Sequence, residues 1–123
     1  MPYILVVDDD RAFCDLLDNF LACEGHEVQC AVSVSQALHL AQERQPTLVL
    51  FDLRLPDQSG EDFVAAYRAL PNASARLIAV SGLANLHDEA ARIGAHGFLR
   101  KPFELADLLA VVTESLPILN ETA

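Results

Sequence analysis

Basic residues are scarce in this chain. Eight Lys and Arg stand against eighteen Asp and Glu in 123 residues, for a formal net charge of −10 at pH 7. A nucleic-acid backbone needs a basic face, so nucleic acid is not expected as a direct partner. Long apolar runs are missing as well. The runs present are short and broken by charge, so no segment is expected to span a bilayer and no membrane partner is expected. Residues 1–10 do not read as a signal peptide, because acids stand where small residues should precede a cleavage point. A cytoplasmic location follows as the expectation. Cysteine is sparse. Cys14, Cys23 and Cys30 form no C-x-x-C pair, which points to reduced packing residues rather than a disulfide framework or a zinc site. His26, His39, His87 and His96 lack ligand spacing and read as surface or loop residues. Neither G-x-G-x-x-G nor G-x-x-x-x-G-K-[ST] occurs, which argues against a nucleotide-binding loop.

What is present is apolar and regularly spaced. Hydrophobic residues make up 52% of the chain, enough for a packed core, and the length suits one domain. The central stretch is Leu48-Val49-Leu50-Phe51, which runs straight into Asp52. Such a run without alternation reads as a strand buried on both faces, as in a parallel sheet covered by helices. Pro56, Asp57, Ser59 and Gly60 then turn the chain. Tyr3 to Val7 is a second run of this kind and ends in Asp8-Asp9-Asp10.

Three further strands are expected: a short one over His26–Ala31, then Leu77–Val80 ending in Ser81-Gly82, then Gly97–Arg100 ending in Lys101-Pro102. Helices are expected over Arg11–Glu24, from a Ser33/Gln36 capping box to Arg44, and over Glu61–Leu70, Leu86–Ile93 and Glu104–Leu116. The first should bury Phe13, Leu16, Leu17, Phe20 and Leu21, and the last Leu105, Leu108, Leu109 and Val112. Gly25 and Gly94 are placed to close helices. Strands alternating with helices predict a doubly wound α/β fold, a five-stranded parallel sheet with five helices on its two faces.

In such a sheet the strand ends bring Asp8, Asp9, Asp52, Ser81 and Lys101 to one edge, where open α/β sheets carry out their chemistry. Asp10 is expected to cap the first helix. The other carboxylates crowd. Two like charges ~4 Å apart repel by about 4 kcal/mol at an effective dielectric near 20. A hard divalent cation with oxygen ligands relieves that repulsion, and Mg²⁺ is the usual choice beside phosphate chemistry.

With these residues in place, the chain resembles the receiver domains of two-component response regulators, from about Tyr3 to Leu116. The resemblance implies a flavodoxin-like strand order of 2-1-3-4-5. It implies one receiver domain over residues 1–123, with a core of about 3–116 and a tail of 117–123. Asp52 matches the phosphoacceptor. Asp8 and Asp9 match the Mg²⁺-binding acidic pair, with the backbone carbonyl of Arg54 completing the metal site. Ser81 and Lys101 match the residues that contact the phosphoryl group. Pro102 matches a cis-proline, and Phe98 the aromatic switch residue. The implied partners are a histidine kinase or a histidine phosphotransfer protein. A downstream protein target is implied on the face made by the fourth helix, fifth strand and fifth helix, with a possible homodimer on phosphorylation. The chain would then be a phosphoacceptor rather than an enzyme, with intrinsic phosphoryl-transfer chemistry and slow autodephosphorylation.

The chain departs from the family pattern in two places. The Ser81-to-Lys101 spacing is about two residues short, and Phe98 lacks the hydroxyl of the commoner Tyr. The positions two beyond the phosphoacceptor and two beyond the strand-four Ser, Arg54 and Leu83, flank the path of a hydrolytic water in the family. Two other readings compete. Asp8-x-Asp10 also resembles the motif of haloacid-dehalogenase-type phosphatases, with Asp8 as nucleophile and Asp10 as acid/base. The other is a pseudo-receiver, an interaction module that works without phosphorylation.

Overall fold

The computed structural model describes residues 2–115 of the chain. The elements run β1 (Ile4–Val7), α1 (Arg11–Cys23), β2 (Val28–Ala31), α2 (Val34–Glu43), β3 (Leu48–Asp52), α3 (Gly60–Arg68), β4 (Arg76–Ser81), α4 (Leu86–Ile93), β5 (Gly97–Arg100) and α5 (Leu105–Ser115). All strands pair in parallel, in the order β2-β1-β3-β4-β5. The predicted end of the last helix near Leu116, the break at Pro117 and the tail lie outside the described residues.

Strand alternation sorts the core into two layers, because successive side chains of a strand point to opposite faces. Leu5, Val7, Val49, Phe51, Leu77 and Ala79 face α2, α3 and α4, where Ala37, Phe63, Tyr67 and Leu86 meet them. Ile4, Val6, Leu48, Leu50, Ile78, Val80 and Leu99 face α1 and α5, against Leu17, Leu21, Leu108 and Val112. Both faces of the sheet are thus dry, which is why its strands read as unbroken apolar runs.

The helix ends follow local chemistry. Asp10 caps α1 by accepting the Phe13 N–H, and Gly25 follows the helix with a φ of +89°. Gly94 ends α4 in the left-handed conformation. Ser33 caps α2 through the Gln36 N–H, but the Gln36 side chain accepts from Val32, one residue before the cap. The full reciprocal box is at α3, between Ser59 and Asp62.

Two of the predicted inward positions face solvent. Leu16 is 52% exposed, because the buried stripe of α1 is Cys14, Leu17 and Leu21 and Leu16 lies off it. Leu105 is 39% exposed at the first turn of α5, before the helix settles onto the sheet through Leu108 and Val112.

Candidate functional site

Register brings the carboxylates together. Val7 pairs with Phe51, so the next residue of each strand, Asp8 and Asp52, leaves the sheet at the same level. Asp8 continues the Ile4–Val6 alternation, Asp52 the Leu48–Leu50 alternation, and Lys101 follows Leu99 on the same face. Three side chains far apart in sequence therefore converge over the α1/α5 side of the sheet edge.

The distances bear this out. Carboxylate oxygens of Asp8, Asp9 and Asp52 all lie within 4.8 Å of one another. Lys101 Nζ is 2.7 Å from Asp8 Oδ2 and 3.7 Å from Asp52 Oδ2. Lys101 is the only lysine in the chain, and its ammonium also sits 4.2 Å over the Phe13 ring. Asp8 is buried and has its second oxygen satisfied by the Asp10 N–H at 2.9 Å. Asp9 is exposed. Asp52 accepts the Arg54 N–H at 3.2 Å. Burial raises the Asp52 pKa above the ordinary aspartate value, with nearby Asp8 adding to the rise, while the Arg54 N–H and Lys101 act against it.

Ser81 and Phe98 belong to the other alternation. Ser81 is buried at the end of β4, where its Oγ accepts the Leu83 N–H at 3.2 Å. Its carbonyl accepts the Lys101 N–H at 2.8 Å, which ties the ends of β4 and β5 together. The Lys101–Pro102 peptide is cis. Phe98 is 38% exposed and packs edge-on against His87 of α4, ring centroids 5.3 Å apart. Beside it the Arg100 guanidinium donates to the Leu83 carbonyl, clasping the β4–α4 loop.

Comparison with known proteins decides the family. The description "Response regulator receiver domain" matches residues 4–113. The chain belongs to the response regulator receiver family. The receiver is 36% identical over 124 residues to the transcriptional regulatory protein PrrA of Mycobacterium tuberculosis, covering 99% of this chain and 53% of that protein. It is 34% identical to the acid tolerance regulatory protein ActR of Rhizobium meliloti, over 90% of this chain and 58% of that one. The chain thus spans about half the length of these curated relatives. A CheY-like receiver domain protein from Methanospirillum hungatei superposes with a TM-score of 0.85 at 31% identity, covering 100% of this chain and 99% of that one. The receiver domain from Methylobacillus flagellatus gives 0.84 at 32%, over 94% and 98%.

In this receiver the residues named from sequence fall into two groups. Asp8, Asp9, Asp52 and Lys101 form one constellation, while Ser81 and Phe98 stand on the neighbouring β4–β5 wing. Asp10, which a phosphatase of the competing kind would need as acid/base, is occupied in capping α1.

Three contributors escaped sequence reasoning. Asp57 reads as a turn residue, yet its carboxylate accepts the N–H groups of Val34 and Ser35 at 2.9 and 3.0 Å, fastening the loop after Asp52 to the start of α2. Those N–H groups hold its pKa below the usual aspartate value. Gly60 is buried under the same loop, where a Cβ would meet the Asp52 carbonyl oxygen at 2.8 Å and Leu53 Cα at 2.9 Å. A glycine directly after the turn Pro56–Ser59 is the one local hint of it. Phe13, read as core, also supplies the ring beneath Lys101.

Proposed function

We propose that this receiver accepts a phosphoryl group on Asp52 from a histidine kinase or a histidine phosphotransfer protein. The observation that carries the reading is the meeting of Asp8, Asp9 and Asp52 within 4.8 Å, with the chain's only lysine 3.7 Å from Asp52. A carboxylate oxygen of Asp52 attacks phosphorus, the bond to the donor nitrogen breaks, and an aspartyl phosphate results. The freed donor imidazole takes a proton from water. Phosphoryl transfer depends mainly on positioning and on neutralising charge spread over the phosphoryl oxygens. Lys101 supplies a positive charge at that place, and the Ser81 hydroxyl a donor once its loop moves inward.

The donor set suits a hard cation: three carboxylates, two of them at least partly exposed, with no soft ligand among them. Asp8, Asp9 and Asp52, with the Arg54 backbone carbonyl, would hold Mg²⁺. When bound, it supplies neutralising charge to the phosphoryl oxygens.

Phosphorylation adds about −1.5 to −2 charge at pH 7. The new oxygens draw the Ser81 hydroxyl, the Leu83 loop follows, and the Arg100 clasp and the Phe98–His87 contact rearrange. The face of α4, β5 and α5 thereby changes, for a downstream protein target or for a homodimer. The chain works as a phosphoacceptor, not as an enzyme on an external substrate. We place it in the cytoplasm, where a histidine kinase or phosphotransfer protein would reach it; among the described residues no helix is long and apolar enough to cross a membrane. With a net charge of −10 we assign it no direct nucleic-acid surface.

The test is incubation with acetyl phosphate and Mg²⁺ followed by intact-mass measurement. One phosphate adduct is expected, absent in Asp52→Asn and strongly reduced in Asp9→Ala or in excess EDTA. An adduct at wild-type level in Asp52→Asn rejects the assignment. For the switch, amide spectra with beryllofluoride should shift across residues 83–105. Shifts confined to the Asp52 loop reject Phe98 as a switch.

A further inference from the structure

Two thiols that take no part in the site meet beside it. Cys14 is buried on α1, Cys30 is half-buried on β2, and α1 packs against β2. Both side chains pack into the apolar layer between α1 and the sheet. They line a common surface pocket of about 110 Å³ with Arg11, Asp15, Val32 and Gln36. A water molecule occupies about 30 Å³ of liquid, so the pocket admits a molecule the size of hydrogen peroxide. Cys23, by contrast, is exposed at the C-terminal end of α1.

The pair is wired to the backbone of Asp8, a residue of the receiver site. Cys14 Sγ donates to the Asp8 backbone carbonyl at 3.6 Å. The Asp8 N–H donates at 2.9 Å to the carbonyl of Ala31, the residue after Cys30. The Asp8 backbone is thus held from one side by α1 through Cys14 and from the other by β2 just beyond Cys30.

We propose that Cys14 and Cys30 form a peroxide-oxidisable dithiol that closes to an intramolecular disulfide and slackens the hold on Asp8. Cys30 is the more accessible of the two, so its thiolate attacks the peroxide. The O–O bond breaks, Cys30 becomes a sulfenic acid, and hydroxide leaves and takes a proton. The Cys14 sulfur then attacks the sulfenic sulfur, its own proton leaves with the hydroxyl as water, and the S–S bond forms. Two thiols are oxidised, one peroxide is reduced, and two waters are released. The S–S bond, about 2.05 Å long, draws the two sulfurs together. Cys14 then has no S–H to give Asp8. In a reducing compartment the bond is transient, as redox-sensing disulfides there are.

Two readouts test this. The first is the thiol chemistry alone. The full chain is treated with peroxide, alkylated under denaturing conditions and mapped by mass. A Cys14–Cys30 peptide lacking two hydrogens is expected, with Cys23 alkylated, and neither Cys14→Ser nor Cys30→Ser should form an internal bridge. Bridging that involves Cys23, or peroxide products on Cys23 alone, overturns the proposal. The second readout rests on the proposed phosphoacceptor function. Labelling by acetyl phosphate should slow about two- to fivefold in the bridged chain, the size expected from losing one weak S–H contact. It should recover with reductant and stay unchanged in peroxide-treated Cys30→Ser. A bridged chain that labels at the reduced rate overturns the link to Asp8. Failure of the reduced chain to label at all counts against the phosphoacceptor reading and leaves the mass result standing.

Discussion

Lys101 is held more closely by Asp8 than by Asp52. Its ammonium lies 2.7 Å from the buried Asp8 carboxylate and a full ångström farther, 3.7 Å, from Asp52. A buried carboxylate needs a partner, and removing one member of such a pair destabilises more than the pair itself stabilises. Lys101 therefore has a structural duty beside the chemical one proposed for it.

Lys101→Met should lower the stability of the metal-free chain by about 2–4 kcal/mol, because it leaves Asp8 buried with only a backbone donor. The double variant Asp8→Asn/Lys101→Met should recover most of that loss, since no lone charge remains. Urea unfolding of the four proteins in EDTA measures the coupling. Additive losses would mean that the two side chains do not interact.

Gly60→Ala should destabilise the fold by about 1–3 kcal/mol, the usual range for overpacking. Both of the closest atoms are backbone, the Asp52 carbonyl oxygen and Leu53 Cα, so no side-chain rotation can make room. The loop carrying Asp52 must shift, and labelling by acetyl phosphate should fall even at temperatures where the variant is fully folded. Wild-type labelling of the folded variant would show that the loop tolerates the shift.

His96 should make stability depend on pH. Its ring Nδ1 accepts the Leu77 N–H at 2.8 Å, and its backbone N–H donates to the Leu77 carbonyl at 2.8 Å, bracketing the start of the β4–β5 pairing. Burial, followed by the charges of Arg76 and Arg68, lowers its pKa below the ordinary histidine value. The neutral ring is the one the fold favours, so the unfolded chain binds the extra proton first. The contribution is present above the unfolded pKa and is lost as pH falls through the lower folded one. The Tm difference between wild type and His96→Ala should therefore shrink on acidification below about pH 6.5. A constant difference would detach the titration from the Leu77 contact.

The phosphorylated state should be long-lived. Arg54 and Leu83 line one groove beside Asp52, about 290 Å³ in volume, together with Glu61, Glu89 and Arg92. Leu83 offers no side-chain group to orient a water, and the Arg54 charge favours the phosphorylated state. A hydrolytic water depends on placement, so withholding placement slows the step. Arg54→Asn and Leu83→Glu should each speed the decay of phospho-Asp52, and the double variant most. Equal decay in all four proteins would remove these side chains from control of the water.

The sequence by itself determined the order of the elements and the chemistry of the sheet edge. A strand buried on both faces must be apolar throughout and turn polar where it leaves the sheet, so Leu48–Phe51 into Asp52 and Tyr3–Val7 into Asp8 carry their meaning locally. The helix closures at Gly25 and Gly94 and the cap at Asp10 are legible for the same reason: each depends on residues within one turn. Tertiary structure decided what depends on distant partners. The register of Val7 on Phe51 sets Asp8 level with Asp52. The alternation of β5 turns Lys101 toward both and Phe98 away. Asp57 finds the open N–H groups of α2 across 23 residues, and Gly60 is required by a backbone atom eight residues back. Leu16 falls outside the buried stripe while Cys14 falls inside it, because the helix rotates to suit the sheet beneath. Periodicity names the amphipathic residues but not the angle at which the stripe is laid, and that angle also sets Cys14 in the pocket it shares with Cys30.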